Sequence, residues 1–108
     1  MAGEYEGERS RRRYERVTGP FDGLLDGPVL IYDLNLGGCF VNSPHQSAGG
    51  TLSVLRINLP GEGWLAVNAE TLYSLQHGFA VRFLDLDGDA SACIARAVES
   101  WQRRPAGF

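Results

Sequence analysis

Glycine and proline interrupt this chain too often for it to be built from long helices. Fourteen glycines and five prolines among 108 residues put a turn signal every few positions, with short apolar stretches between them. Such a pattern favours many short strands joined by tight turns. The length allows one small domain with a single core.

Strand-like patterning begins at Val29. In Pro28–Leu36 apolar side chains fill both faces until Asp33 and Asn35 break one of them, and Gly37-Gly38 then turns the chain. Cys39-Phe40-Val41 reads as a short following strand, and Ser43 to Gly50 as a loop. From Leu52 to Leu59, Leu55, Ile57 and Leu59 share one face, with Arg56 and Asn58 on the other. Pro60-Gly61-Glu62-Gly63 is a hairpin-type turn. In the returning run, Trp64–Tyr73, Leu65, Val67, Thr71 and Tyr73 oppose Asn68 and Glu70. After His77-Gly78, Phe79, Val81 and Phe83 alternate with Ala80, Arg82 and Leu84. Short strands at this spacing point to a small closed antiparallel barrel.

The tail differs. Ile94, Ala97, Val98 and Trp101 fall on one helical stripe, Asp87 or Asp89 is placed to cap it, and Pro105 stops it. A helix over about 89–103 with one apolar side must lie against the barrel mouth or wall. Residues 1–17 carry few large apolar groups and read as a flexible arm, leaving 18–108 as the folded unit. The expected architecture is a basic arm, a six-stranded antiparallel barrel and a C-terminal helix.

Charge is distributed unevenly. Residues 1–8 carry three Glu, residues 9–16 five Arg and one Glu, and residues 17–108 five Arg against nine acids; lysine is absent and the net charge is −3. A face that binds nucleic acid through its phosphates needs a basic balance, which this body lacks. A concentrated local anion site is compatible with it.

Two local features suggest such a site. In Arg11-Arg12-Arg13-Tyr14-Glu15-Arg16, Arg12 and Arg16 are four apart, so they share a face in a helix or a strand. Their planar forks bind phosphate bidentately and stack on bases. Taken alone, the run reads rather as a solvated charge segment. The second feature is Asp33-Leu34-Asn35-Leu36-Gly37-Gly38 at the end of an apolar strand. A carboxylate accepts from the N–H edge of a guanine, an amide both donates and accepts, and Gly38 admits a flat ring close to the backbone. Alone, this is also a Gly-Gly turn capped by Asp and Asn.

Together, RxxxR followed after about twenty residues by D-x-N-x-x-G resembles the PilZ domain family, and Gly78-Phe79-Ala80-Val81-Arg82-Phe83 is similar to that family's late strand. The resemblance implies a mainly β, six-stranded PilZ-type barrel that binds the bacterial second messenger cyclic di-GMP. It implies that Arg12 and Arg16 grip phosphates and guanine edges as the arm folds over the ligand. Asp33 and Asn35 would then read one guanine, and Gly38 would leave room for it. Asn35 stands where the family usually has serine. The preceding Arg11 implies an intercalated cyclic di-GMP dimer, two ligands per chain. Without an output domain, the signal is expected to leave through a partner protein. A barrel that has lost its ligand and serves only as an interaction module is the alternative.

Other chemistries find little support. Counting from Asp85, Ala90 and Arg96 occupy positions where a calcium loop needs Gly and Glu, so no metal is expected. Cys39 and Cys93 fit neither zinc spacing nor a disulfide framework and are expected to be reduced. His45 and His77 sit in turns without carboxylate partners at motif spacing, and no P-loop, GxSxG or HExxH is present, so no enzyme and no cofactor is expected. No apolar run approaches a bilayer span, and the polar, Arg-rich start lacks a signal-peptide pattern. The expected setting is the bacterial cytoplasm, with neither nucleic acid nor membrane insertion involved.

Overall fold

The structure, a computed structural model, describes residues 17–102. The sequence expectations for Arg11, Arg12, Arg16 and the rest of the arm before Val17, and for residues 103–108, lie outside the described residues. Six strands form a closed, wholly antiparallel barrel: β1 (Phe21–Leu24), β2 (Pro28–Tyr32), β3 (Gly38–Asn42), β4 (Leu52–Leu59), β5 (Gly63–Leu75) and β6 (Gly78–Leu84). Around the barrel the order is β1-β2-β3-β6-β5-β4, and β1 pairs with β4 to close it. One helix, α1 (Gly88–Gln102), follows. It is too short and too polar to cross a membrane.

The alternation read from the sequence sets the inside and outside of the barrel. Leu55 pairs with Val67 and Ile57 with Leu65 across β4–β5, and Leu55, Ile57 and Leu59 are buried while Arg56 is exposed. Ile31, Val41, Phe79 and Val81 complete the interior from β2, β3 and β6. Each such side chain contributes about 1.5–3 kcal/mol by leaving water. The helix joins this core through Ile94 and Ala97, with Val98 and Trp101 packed at its margin. The Trp101 ring lies 4.9 Å from that of Phe21. Asp87 caps α1, its Oδ1 accepting from the Ala90 N–H at 2.7 Å.

Several boundaries differ from the sequence reading. β1 was not legible as a strand, because only Phe21 and the buried Gly23 face inward in its four residues. β2 ends at Tyr32 rather than Leu36, because Asp33 adopts a left-handed φ of 55°. Tyr73 is exposed rather than inward-facing. A bulge between Thr71 and Tyr73 adds one residue to β5, so Thr71 pairs with Val81 but Tyr73 with Ala80. Val17 belongs to the core rather than to the arm: it is buried, and its N–H and C=O both bond to Leu34 (3.0 and 2.9 Å).

Two glycines set the approach of β3 and β6. A Cβ on Gly38 would collide with the Val81 carbonyl, and one on Gly78 with the Val41 carbonyl. Both positions require the missing side chain.

Candidate functional site

The β2–β3 turn builds the site. Asn35 Oδ1 accepts from the Gly37 N–H (2.6 Å) and the Gly38 N–H (3.1 Å), while the Asn35 N–H donates to Gly38 O (3.0 Å). Only an oxygen can accept both donors, so the amide nitrogen of Asn35 faces away from the turn. The side chain therefore shapes the loop and still presents two N–H donors. Gly37 O ties the turn to β6 by accepting from the Phe83 N–H at 2.9 Å.

Beside this turn the outer wall of the barrel carries a shallow depression of about 250 Å³. Asp33, Asn35 and Gly38 all line it, so the structure brings the three described candidates together. They converge for a different reason from the one read in the sequence. Strand alternation does not place Asp33 and Asn35 side by side; the left-handed Asp33 and the folded Asn35 turn do. Gly38 likewise has a different structural reason: its missing side chain admits the β6 backbone at Val81.

Sequence reasoning expects one residue of the Glu70–Tyr73 strand to flank the ligand without singling it out, and it missed the floor. Cross-strand pairing sets Tyr32, Phe40, Ala80 and Tyr73 in one row over four strands, and the last three line the depression. Leu72 and Tyr73, both about half exposed, reach its rim from the β5 bulge. An exposed apolar residue and an aromatic ring in such a place offer a stacking surface for a flat ring. The bulge itself has no sequence signature here, which is why Tyr73 was assigned to the wrong face. Arg82 adds a cation, and its register partners on either side are Gly38 and Glu70.

Cys39 lies beneath the depression. Burial, and secondarily the charge of Asp33, pushes its thiol well above the usual range, so it is a protonated apolar group rather than a nucleophile. Both cysteines are free. Among the described residues no group of His, Cys, Asp and Glu is arranged to hold a metal ion.

Val17 and Thr18 are fixed beside this site. Val17 is bonded through both backbone groups to Leu34, the residue between Asp33 and Asn35, and Thr18 O accepts from the Asp33 N–H at 3.3 Å. Arg16 is the next residue along the chain.

The PilZ domain model matches residues 10–100, and the chain belongs to that family. No relative is found among curated proteins. Solved structures share the fold. The PilZ domain of YcgR from Escherichia coli, solved with c-di-GMP, superposes with a TM-score of 0.69 at 20% identity, covering 86% of this chain and 92% of that one. The crystal structure of YcgR in complex with c-di-GMP gives 0.67 at 23% identity over 86% of this chain, which spans 46% of that protein. The PilZ domain of CeSA from a cellulose-synthesising bacterium gives 0.59 at 21% identity, covering 82% and 96%.

Proposed function

We propose that this chain is a receptor for cyclic di-GMP with no chemistry of its own. The observation that carries the reading is the backbone ladder between Val17 and Leu34. It holds Val17, the residue that follows Arg16 in the sequence, beside the depression lined by Asp33, Asn35 and Gly38. Arg12 and Arg16 precede Val17 by five residues and one in the sequence. The ligand is a dianion with two guanines. Arginine forks suit its phosphates, the Asp33 carboxylate suits the N–H edge of guanine, and the Asn35 amide hydrogens suit a guanine acceptor. The surface at Tyr73 and Phe40 suits the faces of the bases.

In this reading the arm closes over the ligand, and the ordering of its backbone is offset by charge-assisted hydrogen bonds. Arg11 supplies the further cation that lets a second, intercalated ligand bind. The closed arm changes the surface shown to a downstream protein, which carries the signal onward. The test is equilibrium dialysis with labelled cyclic di-GMP against wild type, Arg16→Ala and Asp33→Asn. Binding by wild type and its loss in both variants supports the assignment. Wild-type affinity in either variant places the site elsewhere.

A further inference from the structure

Arg82 is the one cation among the described residues lining the depression, and it already has a partner. Its Nε donates to Glu70 Oε1 at 2.7 Å, and Nη2 lies 2.7 Å from the same oxygen. Glu70, Arg82 and Gly38 form one cross-strand row, so the pair sits at the rim next to the Asn35 turn. The Arg82 side chain is more than half exposed, at 57%, against 26% for that of Glu70. A guanidinium has five N–H donors in a planar fork. Here the edge formed by Nε and Nη2 is turned to a single carboxylate oxygen, and Nη1 is left to other partners. An exposed pair of this kind gains little over its separately hydrated charges, so exchange of its partner is cheap.

The depression also has the wrong charge for its ligand. Asp33 lines it and Glu70 borders it, against one arginine from the barrel. A phosphodiester settling there meets a cation whose charge is already compensated. Resting on the cyclic di-GMP reading above, we propose that Arg82 contacts a phosphate of the bound ligand, and that Glu70 is an intramolecular competitor for it. Binding exchanges the Glu70 carboxylate for the phosphodiester on the same fork. Glu70 thus holds the affinity below what the arginines alone would give, and lets the receptor empty when the messenger falls.

The test is calorimetric titration of cyclic di-GMP into wild type, Glu70→Gln, Arg82→Ala and the double variant, at low and high salt. Glutamine keeps the shape and an acceptor for Arg82 while removing the charge. Glu70→Gln is expected to tighten binding about three- to tenfold, with less gain at high salt. Arg82→Ala is expected to weaken it about tenfold. In the Arg82→Ala background the gain from Glu70→Gln shrinks, because the competition has lost its object. Both side chains are at the surface, and unfolding curves serve as the control. If wild type binds and both single variants match it, the pair is only a strand-to-strand tie and the inference fails. If Glu70→Gln weakens binding, Glu70 holds Arg82 in place rather than competing, which also overturns it. A wild type that binds nothing removes the receptor reading itself, and this inference with it.

Discussion

Two arginine–glutamate pairs on this barrel look alike and differ in what they are free to do. Arg96 and Glu62 join α1 to the β4–β5 turn fork to fork, with Nε to Oε2 at 3.1 Å and Nη2 to Oε1 at 2.8 Å. Both carboxylate oxygens are used, and Cys93 packs against the same guanidinium. Arg82 and Glu70 use one oxygen, leave the second unengaged by Arg82, and stand at the rim of the depression. The exposures of the two pairs are nearly equal, so burial does not distinguish them. Geometry and place do. A closed bidentate pair away from the depression fastens a helix, and a half-open pair beside a cleft is available to a ligand.

The sharpest way to break this contrast is to damage the scaffold under the site and ask whether the two ends respond together. Gly38→Ala drives a methyl into the Val81 carbonyl and should cost about 3 kcal/mol or more, read by denaturant unfolding. Near-wild-type stability would mean that β3 and β6 can separate there. Ile94→Ala, at the opposite face of the core, should cost about 3 kcal/mol through the cavity it leaves under α1, yet leave the ligand affinity of the folded protein unchanged. A parallel loss of affinity would show that the two regions are coupled.

Smaller effects separate function from fold. Arg16→Ala should lower cyclic di-GMP affinity at least tenfold with no change in melting temperature. Asp33 needs a more careful substitution. Its φ of 55° suits Asp and Asn, so Asp33→Ala mixes lost recognition with about 1 kcal/mol of backbone strain. Asp33→Asn keeps the turn and removes the charge, and should lose binding alone.

The smallest effect belongs to the fastening pair. The Arg96 hydrogen bond holds the Glu62 carboxyl below its usual range. A carboxylate whose pKa is depressed on folding adds stability above its unfolded pKa, and loses it as pH falls through the folded value. Melting curves taken from neutral to acid pH should therefore show a slight acid-side loss in wild type that Glu62→Gln lacks, screened by salt. Ligand affinity should not respond to Glu62→Gln, in contrast to Glu70→Gln.

Much of the fold was legible because the core strands alternate strictly. Leu55, Ile57 and Leu59, and the stripe of Ile94, Ala97, Val98 and Trp101, announce their buried faces without help from context. β1 was not legible, since Phe21-Asp22-Gly23-Leu24 offers one large inward residue, and its strand character comes from pairing with β2 and β4. At the site, Asp33, Asn35 and Gly38 were found by residue type and spacing, and they do share one depression. Their local physics was not legible: a left-handed Asp33 and an Asn35 amide folded onto Gly37 and Gly38 are consequences of the turn, not of strand period. The Glu70–Tyr73 strand was a candidate flank in which Tyr73 could not be singled out, and Arg82 was missed, because both reach the site from β5 and β6. A bulge at Thr71–Tyr73 and the β3–β6 register, both tertiary facts, bring them there.

The most direct measurement is isothermal titration of cyclic di-GMP into the purified chain, with GMP as the control. A cyclic di-GMP receptor of this kind gives saturable heat with cyclic di-GMP only, at two ligands per chain, falling towards one in Arg11→Leu. A folded protein that gives no heat with cyclic di-GMP, or equal heat with GMP, would contradict it.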